Sequence, residues 1–535
     1  MKIQNPILKG FNPDPSICRV GEDYYIAVST FEWFPGVVIY HSKDLKNWRQ
    51  VSRPLNNVKY LDMKGNPDGG GVWAPQLSYS EGKFWLIYSD VKVVSGPWKD
   101  VTNYLITSET IDGDWSDPIF MNQSGFDPSL FHDEDGRKWF TNMIWDSRVG
   151  THEFAGIAFQ EYDPEQEKLV GEIKNIFEGT NVKLVEAPHI YKIDGYYYLF
   201  TAEGGTLFHH QETVARSKNI DGPYEVHPDN PLISSFSHPE INLQRAGHGS
   251  MVETHTGEWY FVHLTSRPLE NELMSILDDR GYSPLGRETA IQKIEWKNGW
   301  PYIVGGNYPH DEVEGPQMDE VEWPADFPVV DEFDEKELNH QWQTLRVPFD
   351  DKMGSLEERP GYLRLYGGGS FHNLFNQSMV ARRWQAFEFE AETKVAFNPD
   401  SYQQQAGLVC YYNTSNFTSI HITWDPELGR VIDLLNCDSR NLSKPNEDLI
   451  QVPEGTEFVY FKVKVDNKKY NYYYSFDGSN WEMINYTFDS RKLGDEYYKE
   501  GGFFTGAFVG INCIDSSGRK IAADFDYFRY EEKNN

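Results

Sequence analysis

Three acidic residues stand in similar short motifs far apart in the chain. Asp14 and Asp127 each open an Asp-Pro-Ser motif, and Glu186 directly precedes an Ala-Pro pair. Carboxyl groups that meet in one place repel one another unless they hold a proton, a metal ion or a substrate. Two chemistries therefore stay open: the binding of a cation, or acid and base work on a glycosidic bond, which needs one protonated and one ionised carboxyl group. In the second case, the third carboxyl group would raise the pKa of the acid and hold its orientation.

Aromatic residues close to these acids favour a sugar over a metal ion. Phe31, Trp33, Trp73 and Trp145 fall on or near the segments that carry the acids. Flat aromatic faces stack on pyranose rings. Taken singly, each of these residues is better explained as part of a core. Together with three acids, they predict a carbohydrate site.

An internal repeat identifies the elements that position these residues. A Pro-containing turn and, six to eight residues later, a Gly that opens an aromatic strand recur along the first 300 residues. The steps between Pro15, Pro75, Pro128, Pro188 and the aligned Gly249 are 60, 53, 60 and 61 residues. A second pattern recurs in phase with the first, at Ser42–Trp48, Ser108–Trp115 and Ser217–Tyr224. Short alternating strands at a period near 60 predict four-stranded blades, and five units predict a five-bladed β-propeller.

The register of the repeat predicts which residues meet in space. Inner strands of the blades begin near one end of the central channel. Asp14 and Asp127 immediately precede the aligned Pro, and Trp73 and Glu186 stand two positions before it. These four residues are therefore expected to face a common point.

Several other polar residues have more than one interpretation. His248 precedes the aligned Gly of the fifth unit and is expected on the channel axis, where it orders a water molecule, binds a divalent ion or is a satisfied polar group. Arg287 follows the fifth unit, and either closes the ring towards the first unit or is an ordinary surface arginine. His209, His210 and the acidic run 133–135 lack the spacing of metal ligands, so we expect them in solvated loops.

The repeat stops after residue 304, which divides the chain. Residues 1–304 are assigned to the propeller, and residues 305–330, rich in Gly, Pro and acids, to a linker. Residues 331–535 alternate apolar and polar side chains, which predicts a β-sandwich of jelly-roll type. The fold class is therefore all-β.

Composition excludes several classes of function. The 535-residue chain has a formal net charge of −33, which repels phosphate backbones and anionic membranes, so nucleic acid is not expected as a partner. The sequence contains no run of about 18 apolar residues, so no membrane span is predicted. The four cysteines are widely spaced, which indicates free thiols rather than a zinc site or a disulfide framework. The N-terminus has no apolar segment typical of a secretory signal, so a cytoplasmic location is expected.

The combined motifs resemble those of glycoside hydrolase family 43, in particular its two-domain bacterial β-xylosidases. The resemblance covers the whole chain and rests on four motifs, Asn12–Ser16, Gly71–Pro75, Gly125–Ser129 and Glu186–His189. It implies an inverting exo-hydrolase that releases xylose from the non-reducing end of β-1,4-xylo-oligosaccharides. By position, Asp14 is implied to be the general base, Glu186 the general acid and Asp127 the residue that tunes the pKa of the acid.

The resemblance also implies a substrate pocket. Arg287 matches the arginine that contacts sugar hydroxyls and the base, and Phe31, Trp73 and Trp145 match subsite walls, with Thr206 and His248 nearby. A sandwich loop, residues 501–506, is implied to close one end of the groove with Phe503 or Phe504. The family further implies a homotetramer and no required cofactor, although some members hold calcium near the channel histidine.

Two other functions stay open at this point. One is a mainly α-L-arabinofuranosidase activity, which is otherwise expected only as a side activity. The other is a carbohydrate-binding protein without catalysis, although such a protein has no reason to gather three acids.

Overall fold

The computed structural model describes residues 1–269, 280–446, 448–497 and 503–533. It confirms an all-β chain with a five-bladed propeller followed by a β-sandwich. Within the described residues, one 3-10 helix, Ser490–Leu493, is the only helix. No described helix has the length and apolar character needed to cross a lipid bilayer.

Each blade is an antiparallel sheet whose four principal strands follow one another in the chain. Blade 1 consists of Ser16–Val20, Asp23–Val28, Val38–Ser42 and Arg49–Ser52. Blade 2 consists of Gly71–Ser80, Lys83–Val91, Val101–Ser108 and Ile119–Asn122. Blade 3 consists of Ser129–His132, Lys138–Trp145, Phe154–Asp163 and Lys168–Phe177.

Blade 4 consists of Glu186–Ile193, Tyr196–Glu203, Gln211–Ser217 and Glu225–Val226, with Ile233–Ser234 added beside its third strand. Blade 5 consists of Gln244–Glu253, Trp259–Ser266, Glu288–Lys297 and Trp300–Ile303. The second sequence pattern begins at Ser42, Ser108 and Ser217, which end the third strands of blades 1, 2 and 4. Its three copies therefore occupy equivalent turns.

A ring of hydrogen bonds joins the inner strands. In every pair of neighbouring blades, a backbone N–H on one inner strand donates to a side chain at the inner strand of the blade before it. The five pairs are Ile17 to Ser250, Leu77 to Ser16, Leu130 to Gln76, Ala187 to Asp127 and Met251 to Tyr191, at 2.7, 3.1, 3.2, 3.1 and 2.8 Å. One of these hydrogen bonds joins blade 1 to blade 5, so the ring is closed. Among the described strands, none is shared between these two blades.

The two ends of the propeller chain are held together outside this ring. Lys2–Gln4 pairs with Glu312–Glu314, a strand within the segment assigned to the linker. Leu8 forms a β-bridge with Thr289 of blade 5. The linker segment therefore also covers the junction between the first and last blades.

The second domain is a sandwich of two antiparallel sheets that share an apolar core. The larger sheet has the order Gly354–Ser355, Leu363–Tyr366, Ala522–Glu532, Glu388–Ala396, Phe458–Asp466, Lys469–Ser475 and Glu482–Met483, with Val330–Asp331 and Phe488–Asp489 at its sides. The smaller sheet has the order Met379–Arg383, Phe508–Asp515, Gln404–Asn413, Asn416–Asp425, Gly429–Asp438 and Asn441–Ser443, with Ile450–Gln451 beside the fifth strand.

The two domains share one apolar cluster. Trp33–Phe34 pairs with Thr344–Leu345, so a short sheet crosses the boundary between the domains. The Trp33 ring stacks on Phe508 of the sandwich, with 3.6 Å between ring centroids. Phe31 and Trp73 belong to the same cluster as Phe508. The sandwich therefore packs directly behind residues expected at the site.

Candidate active site

A cavity of about 360 Å³ lies where the inner strands of all five blades begin. Its volume is within the range of small-molecule sites, about 300–1,000 Å³. The structure brings together in its lining the residues selected from the sequence with the exception of Trp33: Asp14, Phe31, Trp73, Asp127, Trp145, Glu186, Thr206, His248, Arg287, Phe503 and Phe504.

A repeated kink in the backbone directs side chains into this cavity. The backbone is left-handed at one equivalent position of every blade, with φ of 55° at Asp14, 37° at Ala74, 55° at Asp127, 52° at Ala187 and 47° at His248. This conformation costs a residue with a side chain about 1–2 kcal/mol, so it persists only where the surroundings hold it. In blades 1, 3 and 5 the kinked residue lines the cavity, whereas in blades 2 and 4 the preceding residue, Trp73 or Glu186, does so.

Asp14 is buried among groups that favour its charged form. Arg287 Nη1 donates to Asp14 Oδ1 at 2.9 Å, and Ser29 Oγ donates to Asp14 Oδ2 at 2.6 Å. His248 Nδ1 lies 3.6 Å from Asp14 Oδ1. Burial alone would raise the pKa of Asp14, but the Arg287 guanidinium, His248 and the Ser29 hydroxyl together lower it. The Asp14 carboxyl group is therefore ionised near neutral pH.

Glu186 and Asp127 have the opposite tendency. Burial, followed by the charge of Asp14, raises the pKa of Glu186 to about 8, against the opposing effect of Arg287. Burial and the neighbouring carboxyl groups of Glu186 and Asp14 raise the pKa of Asp127 well above its usual range, although Ala187 N donates to Asp127 Oδ2 at 3.1 Å. The cavity thus holds one ionised carboxyl group beside two that retain protons more strongly.

Aromatic rings form the walls around these carboxyl groups. The Trp73 ring lies 5.9 Å from Phe31 and 5.3 Å from Phe126, between centroids. The Trp145 ring lies 6.2 Å from Phe126 and 5.6 Å from Phe154. Such surfaces suit the apolar faces of a sugar ring.

The sandwich contributes Phe503 and Phe504 to the same lining. The Phe504 ring stacks on Phe31, with 5.6 Å between centroids and 24° between planes. Arg287 Nη2 donates to the Phe504 carbonyl oxygen at 3.1 Å, while Arg287 Nη1 also reaches Thr206 Oγ1 at 3.1 Å. Residues 501 and 502 of the expected loop lie outside the described residues.

His248 lies beside a positively charged side chain, Arg287. Burial lowers the pKa of His248, and Arg287 adds to this effect although Asp14 opposes it. The Asp14 oxygen that faces His248 already accepts from the Arg287 guanidinium, whose positive charge opposes a bound cation. Among the residues that the structure describes, no group of three or more His, Cys, Asp or Glu side chains is arranged to hold a metal ion.

Several residues that line the cavity were not predicted from the sequence. Lys99 is the most notable, because its Nζ lies 4.5 Å from the Trp145 ring centroid and 5.6 Å from that of Trp73. The others in the lining are Phe126, Phe154, Leu184, Gly204, Gly205, Leu207 and His209. Phe126 lies inside one of the selected motifs, Gly125–Ser129, so its place in the site could have been predicted from the sequence. Lys99 lies in a loop and had no such signal.

Some sequence expectations were wrong. Trp33 is fully buried against Phe508 at the domain boundary rather than facing a sugar. His210, expected in a solvated loop, is fully buried, and its Nδ1 lies 2.7 Å from the Gly205 carbonyl oxygen. Asp133 is also buried and accepts hydrogen bonds from Lys192 and Tyr197. The partners of Trp33 and Asp133 are distant in sequence, whereas the partner of His210 is only five residues away.

A propeller in which carboxyl groups and aromatic rings line one cavity is typical of an enzyme that acts on carbohydrates. Comparison with known proteins supports this class. Residues 3–301 match the model of glycosyl hydrolases family 43, and residues 330–531 match the β-xylosidase C-terminal concanavalin A-like domain. The chain belongs to glycoside hydrolase family 43.

Several known proteins are similar to this chain along nearly all of its residues. The chain is 58% identical over 533 residues to a β-xylosidase of Bacillus subtilis, covering 100% of both chains. It is 46% identical to xylosidase/arabinosidase 43B of Humicola insolens, over 99% of this chain and 97% of the other. The crystal structure of xylan β-1,4-xylosidase from Bacillus halodurans superposes with a TM-score of 0.96 at 52% identity, over 99% of this chain and 100% of the other.

Proposed function

We propose that the protein is an inverting exo-acting 1,4-β-D-xylosidase that releases xylose from the non-reducing end of xylobiose and short xylo-oligosaccharides. The observation that carries this proposal is the presence, in one aromatic-walled cavity, of two carboxyl groups with opposite shifts in pKa, Asp14 and Glu186. Membership of family 43 and the β-xylosidases among its relatives support the choice of substrate.

In the proposed reaction, Asp14 is the general base and Glu186 the general acid. The Asp14 carboxylate removes a proton from a water molecule as the water oxygen bonds to the anomeric carbon. Glu186 gives its proton to the glycosidic oxygen as the bond from that oxygen to the anomeric carbon breaks. The configuration inverts in this one step, and each carboxyl group then returns to its starting state by exchange with solvent.

Asp127 and Arg287 support the two reacting groups. The Arg287 guanidinium keeps Asp14 ionised and presents donors to sugar hydroxyls. Asp127 is proposed to tune the pKa of Glu186, since the two carboxyl groups interact within the same buried site. The aromatic rings of Phe31, Trp73 and Trp145 are proposed to bind the sugar faces, with Thr206 and His248 beside them.

The wall supplied by the sandwich accounts for the exo mode of action. Phe504 stacks on Phe31 and accepts a hydrogen bond from Arg287, so we propose that Phe504, rather than Phe503, closes the pocket beside the terminal sugar. A closed end admits only the terminal unit of a chain, which limits cleavage to the release of single xylose units.

Hydrolysis of xylobiose followed by NMR tests the proposal, because the spectra identify the substrate, the bond cleaved and the anomer formed first. We expect α-xylose to appear before mutarotation. First release of β-xylose would contradict inversion, and absence of turnover would contradict a xylosidase.

A weaker α-L-arabinofuranosidase activity is proposed alongside the main reaction. The relative named xylosidase/arabinosidase supports it. Rates on nitrophenyl β-D-xyloside and nitrophenyl α-L-arabinofuranoside measure the ratio, and a faster arabinofuranoside reaction would reverse the assignment of the main activity.

Two further properties are proposed with the function. A cytoplasmic location is supported by four cysteines that form no disulfide, of which Cys410, Cys437 and Cys513 are buried. Cell fractionation tests it. A homotetramer is proposed from the family resemblance, and light scattering tests it. No metal is proposed to take part, and unchanged activity after treatment with a chelator is expected.

A further inference from the structure

A buried cluster of charged residues joins the sandwich to blade 5. Arg245 Nη1 donates to Asp495 Oδ2 at 3.0 Å, and Arg245 Nη2 donates to Glu496 Oε1. Glu496 in turn accepts from Ser283 N and Ser283 Oγ, both at 2.9 Å. All three charged side chains are at most 2% exposed.

The second oxygen of Asp495 points towards the active-site wall. Asp495 Oδ1 accepts from Tyr412 OH at 2.6 Å and from the backbone N–H of Phe504 at 3.0 Å. One carboxylate thus binds a propeller arginine, a sandwich tyrosine and the residue that stacks on Phe31. Each carboxylate oxygen of Asp495 has at least one donor, which favours a single orientation of the group.

Phe504 continues this chain of contacts into the reaction centre. Its carbonyl oxygen accepts from Arg287 Nη2 at 3.1 Å, and Arg287 Nη1 donates to Asp14 at 2.9 Å. Its ring centroid lies 5.4 Å from that of Trp73. The position of Phe504 therefore affects both a wall of the pocket and the arginine beside the proposed base.

The propeller also packs closely against the backbone on both sides of Phe504. A Cβ on Gly286 would lie 2.7 Å from the Thr505 carbonyl oxygen, and a Cβ on Gly69 would lie 2.6 Å from the Phe503 carbonyl oxygen. The propeller therefore approaches the loop closely on two sides, at positions where only glycine fits. Between these contacts, Asp495 supplies the charged acceptor for the Phe504 N–H.

We propose that Asp495 is a positioning residue for the hydrolysis: it holds Phe504 against Phe31 and Trp73, and through the Phe504 carbonyl it orients Arg287 towards Asp14. This inference rests on the proposed function, since it concerns the same pocket. Asp495 lies outside the cavity lining and contacts no substrate. It acts through Phe504.

The variant Asp495→Asn tests this role because it keeps the size of the side chain and removes its charge. If the new amide nitrogen takes the place of Oδ2, it faces the Arg245 guanidinium, and two hydrogen-bond donors then oppose each other. The asparagine side chain must therefore turn or shift. We expect KM for nitrophenyl xyloside and the inhibition constant for xylose each to rise about tenfold, while kcat falls less than about threefold, since mainly ground-state binding to the Phe504 wall is lost.

The acid limb of the pH profile gives an independent measurement. The charged and titratable groups that face Asp14 are Arg287, His248, His210, Asp127 and Glu186. If Arg287 is released from its orientation, Asp14 is held less strongly in its ionised form, and the acid limb moves to higher pH. A merely structural defect would lower the amount of active enzyme without moving this limb.

Asp524→Asn is the matched control. Asp524 is a buried sandwich aspartate that accepts from Arg364 Nε at 2.7 Å and from Arg359 Nη1 at 3.0 Å. We expect its variant to lose stability but to retain the wild-type KM, inhibition constant and acid limb. Equal kinetic effects in the two variants, or a folded Asp495→Asn enzyme with all three quantities unchanged, would overturn the proposal.

If Asp495→Asn fails to fold, the variant Tyr412→Phe tests the positioning role of Asp495 instead. It removes one donor to Asp495 and leaves every charge in place, so the xylose inhibition constant should rise about two- to threefold. An unchanged constant would then contradict the role of Asp495. Wild-type enzyme that does not hydrolyse xylobiose at all would instead contradict the proposed function, and the two failures are distinguishable.

Discussion

Glu186 differs from the two aspartates in its surroundings. Asp14 and Asp127 each accept hydrogen bonds that favour ionisation, whereas no hydrogen bond to the Glu186 carboxyl group occurs among the described residues. A buried carboxyl group without donors retains its proton, which is the state that a general acid requires.

The variant Glu186→Ala tests the assignment of the acid. A nitrophenolate leaves without much help from a proton, whereas an alkoxide does not. We expect a loss of about 10²–10⁴-fold on an alkyl xyloside and a much smaller loss on nitrophenyl xyloside. Steady-state rates on the two substrates provide the comparison, and equal losses would remove Glu186 as the acid.

The pH dependence follows from the same two groups. The active form has Asp14 ionised and Glu186 protonated, so kcat/KM should fall as the pH rises through about 8, where Glu186 loses its proton. On the acid side it should fall only below the ordinary pKa of an aspartate, because the pKa of Asp14 is lowered.

Arg287→Met provides the check on the acid side. Removal of the guanidinium raises the pKa of Asp14, so the acid limb should move to higher pH. An acid limb that stays in place in this variant would separate Arg287 from the ionisation of Asp14.

The inner strands depend on the hydrogen bonds between blades. Ser250 is 1% exposed, and its Oγ accepts from the Ile17 N–H at 2.7 Å, where blade 5 meets blade 1. Ser250→Ala leaves this buried donor without its partner, which should lower the free energy of unfolding by about 1–3 kcal/mol. Denaturant unfolding measures the loss. Ser479→Ala, at an exposed hairpin residue, should change the free energy by less than about 0.5 kcal/mol.

The strands of the propeller could be predicted from the sequence because their turns recur at a regular spacing. The alignment of Asp14 with Asp127, and of Trp73 with Glu186, was also sufficient to bring four cavity residues together. Partners from outside the repeat could not be predicted in this way. Lys99 reaches the cavity from a loop, and His210 is buried by packing that leaves no local pattern.

Trp33 connects the stability of the two domains. Its fully buried ring stacks on Phe508 across the domain boundary. Trp33→Ala would leave a large cavity there and should cost about 3–5 kcal/mol. Calorimetry should show a lower transition temperature for this variant. Trp98→Ala, which truncates a tryptophan that is 69% exposed, is the control and should leave the transition nearly unchanged.

Two of the kinked aspartates, Asp14 and Asp127, are each linked to the kinked alanine of the next blade. In blades 1 and 2, Asp14 binds Ser29, whose hydroxyl accepts from the Ala74 N–H at 2.7 Å; in blades 3 and 4, Asp127 accepts directly from the Ala187 N–H. Asp14 and Asp127 thus stand on equivalent backbone, and yet their pKa values are shifted in opposite directions. The Arg287 guanidinium, His248 and the Ser29 hydroxyl lower the pKa of Asp14, whereas burial and the neighbouring carboxyl groups raise that of Asp127. Because the backbone is equivalent at the two positions, the difference between the two aspartates comes from the side chains that surround each of them.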